Sequence, residues 1–245
     1  MRPHIALLLL LLACGEGDPA ADDTGGAVPD GGSTDGGSAD GGSADGGTTD
    51  GGTSDGGTTD PGPDPFADAV VSYSPGAGAG FGQDGYPDVV LGAPEGGGET
   101  ASLDVLSLGQ EGEIVLTFDD IGLVDGEGPD LLVFENPFTG WPETGTVAAS
   151  EDGITWAEWP CDGADEAGGY PGCAGVGLVW AASDNDVDPT DPETAGGDAF
   201  DLADLGLARA RFVRIRDTGL NSYDGVAGGF DLDAIAIVNG EDLAD

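Results

Sequence analysis

Large apolar residues fall into three regimes along this chain. From Ile5 to Ala13 they are continuous and mostly leucine, from 15 to 65 they nearly vanish, and from about 66 they return as short runs between Gly, Pro, Asn and Asp. The third regime has the two-residue period of strands. Glu113–Phe118 alternates cleanly, with Ile114, Leu116 and Phe118 on one face, and Leu131–Glu135 is a compact apolar strand. Ala69–Tyr73, Asp88–Leu91, Leu103–Leu108, Thr146–Ser150, Ile154–Trp156, Gly177–Ala181, Ala210–Ile215 and Phe230–Val238 complete the predicted set. Glu151-Asp152-Gly153 reads as a hairpin turn between two of these runs. Only Leu202–Leu207 suggests a helical turn. So many short strands with turn-rich connections predict an all-β fold, a β-sandwich of jelly-roll type, over residues 66–245.

The first regime is too short to span a bilayer and has the proportions of a signal-peptide core behind the charged start Met1-Arg2. It ends in Leu11-Leu12-Ala13-Cys14-Gly15, which resembles the lipobox of bacterial lipoproteins. The resemblance implies cleavage after residue 13, lipidation of Cys14 and anchoring to the membrane by several acyl chains, which together hold where one is marginal. Gly15 in place of Asp implies outer-membrane sorting and a surface-exposed protein of the cell envelope. In the second regime, 14–65, Asp recurs every fifth residue from Asp30 to Asp60, and Pro61, Pro63 and Pro65 close the segment. Such a composition predicts a disordered tether. As a Gly-rich coil it spans roughly 40 Å, and more under its own charge repulsion.

Charge narrows the possible chemistry. The chain of 245 residues carries 48 Asp plus Glu against 5 Arg, with no Lys, and its single His, His4, lies in the leader. Four arginines, Arg209, Arg211, Arg214 and Arg216, crowd one stretch. A surface this acidic repels nucleic acid and suits divalent cations or basic partners, or it simply keeps an exposed protein soluble. Without His or Lys downstream, the domain cannot host a Ser-His-Asp triad, a Cys-His pair, a Schiff-base lysine or a histidine zinc site. Cys161 and Cys173 bracket a Gly- and Asp-rich loop. In an exported protein they predict a disulfide worth about 3 kcal/mol, with metal ligation by two thiols the weaker reading.

Several motifs, in consistent order across about 70–239, resemble a bacterial cell-surface family with a galactose-binding-like, discoidin-like jelly roll. They are Leu91-Gly92-Ala93-Pro94-Glu95-Gly96, Gly128-Pro129-Asp130-Leu131-Leu132-Val133-Phe134-Glu135-Asn136 and Ser150-Glu151-Asp152-Gly153-Ile154-Thr155-Trp156, with Gly229-Phe230-Asp231-Leu232-Asp233-Ala234 near the end. The resemblance implies the fold and names no substrate.

Oxygen ligands are all that the domain offers a metal, which favours calcium. Glu135 ends one strand, and Asp231 and Asp233 stand two apart at the start of another, a spacing that puts both on one face. Asp130, Asp198 and Asp201 are further candidate ligands. The alternative is that these acids pair with Arg211, Arg214 or Arg216, or face solvent. Asp184, Asp186 and Asp188 have the spacing of an EF-hand start, but Pro189 and Ala195 break that motif, leaving a surface calcium loop or a solvated turn. Trp141, Tyr170 and Tyr223 lie in loops where they could stack on sugar rings, whereas Trp156 and Trp180 read as core. The expectation is a lipid-anchored, calcium-stabilised, non-enzymatic binding or adhesion module whose partner is a surface glycan or another envelope protein. The alternatives are a polysaccharide-active enzyme using paired carboxylates, and a purely structural envelope protein.

Overall fold

The computed structural model describes residues 63–243 except 136, 138, 221–224 and 227, so Cys14 and Tyr223 lie outside the described residues. Among these residues twelve strands follow in chain order. The first six are β1 (Ala69–Ser74), β2 (Leu106–Ser107), β3 (Glu113–Thr117), β4 (Ile121–Val124), β5 (Leu131–Glu135) and β6 (Gly145–Ser150). Then come β7 (Ala157–Glu158), β8 (Asp198–Phe200), β9 (Arg209–Ala210), β10 (Phe212–Asp217), β11 (Asp231–Ile237) and β12 (Gly240–Asp242). They form three antiparallel sheets, ordered β1-β3-β10-β6-β7, β2-β11-β5-β8 and β12-β4-β9. Successive strands mostly change sheet, as in a jelly roll.

The main core lies between the first two sheets. Register places Ile114 opposite Ile215, and Val213 opposite both Leu116 and Ala149. These residues and Val147 are buried, and they pack with Leu131, Val133, Leu232, Ile235 and Ile237 of the second sheet. The other face of β5 and β11 is buried too. Leu132, Phe134, Ala234 and Ala236 form a smaller core with Val179, Ala181 and Ala195. A sheet covered on both faces needs apolar residues at every position, which is why β5 reads as a continuous apolar run. Close approach of the covering segment requires Gly197: at φ +71°, a Cβ there would lie 2.7 Å from Phe134 and from the Val133 carbonyl.

Five predicted strands are corrected by local chemistry. Asp88–Val90 is a 3-10 turn, because Pro87 starts a tight chain reversal that Val90 N–H closes onto the Pro87 carbonyl at 3.1 Å. Leu103–Leu108 shrinks to β2, with Leu103 exposed. Ile154–Trp156 is not a strand: the Asp152 carboxylate accepts the N–H groups of Ile154 and Thr155 at 2.8 and 2.7 Å, which extends the turn and delays β7 to Ala157. Gly177–Ala181 is held by single bridges and loop hydrogen bonds as the cover of the smaller core. Ala210–Ile215 divides at Arg211, β9 joining β4 while β10 joins β3 and β6.

The later start of β7 also changes which tryptophan is core. Trp159 is buried, its ring 5.1 Å from Phe200 and its Nε1 donating to the Asp201 carbonyl. Trp180 is 47% exposed, and Trp156 is half-buried beneath the Arg214 guanidinium, 4.8 Å from its ring. Cys161 and Cys173 form a disulfide. Among the described residues no helix is long and apolar enough to cross a membrane.

The double-sided burial of β5 gives the first prediction. Phe134→Ala removes a fully buried ring from the smaller core, and the cost should be about 3–5 kcal/mol. Urea unfolding should show a lower midpoint with an unchanged slope; a midpoint like the parent's would contradict two-sided burial.

Candidate metal centre

Asp231 opens β11, and Glu135 closes β5 with its Cα paired to that of Leu232. Apolar packing on both faces of these strands carries both carboxylates inside, Glu135 at 1% and Asp231 at 7% exposure. Neither oxygen of Glu135 has a hydrogen-bond partner, and neither has Oδ1 of Asp231. Burial pushes the Glu135 carboxyl well above the ordinary range, and the charges of Asp231, Glu143 and Asp198 push it further. The backbone N–H of Asp231 opposes this without a hydrogen bond of normal geometry. Asp231 is raised to about 6, first by burial, with the Ser107 side chain opposing and Asp217 adding repulsion. A hydroxyl has one proton. That of Ser107 also reaches the Gly228 carbonyl at 2.9 Å, so it is shared between two acceptors.

Glu143, buried just before β6, is raised to about 9 by burial and then by Asp231 and Asp217. Asp217 and Asp198 are also raised, with burial the first cause, but their oxygens are committed to backbone donors. Asp217 accepts the N–H groups of Glu111, Gly219 and Phe230. Asp198 accepts those of Gly175, Val176 and Gly177. Two members of this cluster therefore fix the surrounding loops, while Glu135 and Asp231 retain free acceptor capacity.

The arginines do not neutralise these acids. Arg209 pairs with Glu241 at 2.9 Å, Arg211 with Asp119 at 2.7 Å, and Arg214 with Glu158 and Glu113 at 3.4 and 3.8 Å. Among the described residues no ion pair involves Glu135, Asp231, Asp233, Asp198 or Asp130.

The remaining candidate ligands are elsewhere. β11 bulges at Asp233, between Leu232 opposite Glu135 and Ala234 opposite Phe134. Asp231 and Asp233 consequently meet different neighbours, contrary to the shared site that their spacing suggested. Both Asp233 oxygens accept the Glu95 N–H at 3.0 Å. Burial raises this carboxyl to about 7, the Glu95 hydrogen bond opposes, and Asp104 and Glu95 add repulsion. Asp130 and Asp201 lie with Asp125 in a trio whose ligand atoms fall within 4.8 Å of one another. Asp130, its buried member, already accepts from Gly126, Leu202 and the Asn239 side chain, and Asp201 caps the turn that follows it. Asp184, Asp186 and Asp188 are exposed, and Asp188 is lowered by hydrogen bonds from the backbone and side chain of Thr190.

Trp141 is 51% exposed. Tyr170 adopts a left-handed backbone, φ 54°, at the edge of a cleft of about 300 Å³ that Trp159, Phe200, Asp198 and Asp204 also line. The cluster members that sequence reasoning missed are Glu143 and Asp217. Glu143 is a lone acid in a turn-like run, and Asp217 ends an arginine-rich strand; neither carries a local signal of burial. Compared with known protein families and with curated proteins, the chain finds no match.

The raised carboxyls set the sign of a pH effect. Asp233, at about 7 in the fold, stays protonated while its unfolded counterpart ionises near 3.8. Between those values the unfolded chain holds fewer protons, so stability falls as pH rises, by about 1.4 kcal/mol per pH unit for each such group. In chelator, the melting temperature should therefore drop from pH 4.5 to 7.5, and Asp233→Asn should flatten that slope. A rising or flat profile in the parent chain would show that these carboxyls are ionised in the fold.

Proposed function

We propose that this chain is a lipid-anchored module of the bacterial cell surface, sorted to the outer membrane, whose β-sandwich binds a partner and does not catalyse. One observation carries the non-catalytic reading. A carboxylate-based glycosidase needs two carboxyls flanking an open site. Here Glu135 and Asp231 are buried away from any substrate, the cleft beside Tyr170 pairs Asp204 with an Asp198 already engaged by three backbone donors, and the open cleft lined by Glu95, Asp104 and Asp184 encloses none of its three carboxyls as a general acid requires.

The Cys161–Cys173 disulfide supports an oxidising location outside the cytoplasm. The lipobox-like end of the leader at Cys14 supports the anchor, and the composition of 14–65 supports a reach that presents the domain away from the membrane. Exposed Trp141 and the Tyr170 cleft favour a surface glycan as the partner. The resemblance to galactose-binding-like cell-surface proteins agrees with this reading.

Cys14→Ser tests the anchor. The parent chain should fractionate with membranes and yield an acylated N-terminal peptide in mass spectrometry, whereas the variant should be soluble or mislocalised. An unmodified mature terminus at another residue would defeat the proposal. A glycan array on the purified chain should give binding, and incubation with the bound polysaccharide should release no shorter sugars; chain cleavage would make it an enzyme.

A further inference from the structure

We propose that Glu135, Asp231 and Glu143 form a calcium site at the end of the sandwich where β5 leaves the core and β11 enters it. The site is independent of the surface-module reading, since it rests on the interior of the domain. Three separate parts of the chain supply the carboxyls: the last residue of β5, the turn before β6 and the first residue of β11. The β5–β11 register sets Glu135 opposite Leu232, the neighbour of Asp231, and Gly175 packs against both the Glu143 carbonyl and the ring of Phe230, the residue before Asp231. Among the described residues only Asp125, Asp130 and Asp201 already bring their oxygens within 4.8 Å of one another, so the ion draws the three carboxyls of this cluster together.

Buried polar atoms are almost always paired. Glu135 breaks that rule with both oxygens, at 1% exposure, and Asp231 breaks it with one. A buried, unpartnered carboxylate beside like charges is costly unless a cation meets it. This chain has no lysine and no histidine past the leader, and three of the four arginines of the domain are engaged on the surface. The fourth, Arg216, is exposed in an open cleft that Glu111, Glu158, Asp217 and Thr218 also line, and among the described residues it makes no ion pair. No cation of the chain therefore meets these carboxyls, which leaves an ion from solvent to displace the protons that burial holds on them.

Donor chemistry selects the ion. Carboxylate oxygens suit hard cations and not zinc or copper. Magnesium keeps several of its waters and demands near-octahedral geometry, which a site this closed to solvent does not offer. Calcium accepts bidentate carboxylates and carbonyls in a looser shell of six to eight oxygens. Asp198 and Asp217 act as positioning residues: they hold the backbone at 175–177, 111, 219 and 230 around the site through the hydrogen bonds already described.

The test uses the purified full chain after exhaustive dialysis against chelator. Millimolar calcium at constant ionic strength should raise the melting temperature by roughly 5–10 °C, the shift expected for a ligand near one hundred times its dissociation constant. Magnesium should give less than half of that. Glu135→Gln and Asp231→Asn should each lose the increment and bind one calcium fewer per chain by elemental analysis, and in chelator Glu135→Gln should melt no lower than the parent. Asp125→Asn, in the other acidic trio, should keep the increment. Where Glu135→Gln does not fold, Asp231→Asn and the metal content of the parent decide. Equal responses to calcium and magnesium, no calcium-specific response, or a full increment in either cluster variant would overturn the site.

Discussion

This fold accumulates acidic side chains with few resident counter-charges to meet them. Residues 66–245 hold 36 acids and four arginines. On the surface water screens most of that excess, and short Asp-capped turns use part of it. The Asp152 turn shows how: exposed, with backbone N–H groups of Thr155 and Ile154 as the main causes, its carboxyl is lowered to about 2. Inside, water is excluded and backbone N–H groups meet only some of the acids: Asp198 and Asp217 are so held, while Glu135 and Asp231 keep unpartnered oxygens in a medium that solvates charge poorly.

Packing puts them there. β5 and β11 are the central neighbours of the second sheet, with a core on each face, so their ends are enclosed along with their middles. The bulge at Asp233 then separates two acids that the sequence sets side by side. Asp231 stays with the cluster, and Asp233 reaches the N–H of Glu95, tying the 91–96 segment to β11. A one-residue irregularity thus divides anchoring from charge accumulation.

The strands with the strongest pattern were legible. β3 shows period-two alternation, and β5 and β11 show the continuous apolar run of doubly covered strands, so their bounds fall within a residue or so of the reading. Side chains that compete for the backbone were harder. Asp152 displaced a strand by three residues, and with it the choice of buried tryptophan moved from Trp156 to Trp159. β4, β8 and β12 are three or four residues long and owe their pairing to partners distant in sequence, which no local window contains. Of the metal candidates, Glu135 and Asp231 could be picked because they flank apolar strands. Glu143 could not, because its burial is imposed by the fold around a turn whose sequence looks like surface.

The most direct measurement is a crystal structure of the chain grown with calcium and again with a lanthanide that scatters anomalously. A single strong peak is expected in the cluster, about 2.3–2.6 Å from oxygens of Glu135 and Asp231, with Glu143 turned toward it. A Glu135 carboxyl that is protonated, hydrogen-bonded to protein or water, and without an ion beside it in both crystals would show that the cluster binds no calcium.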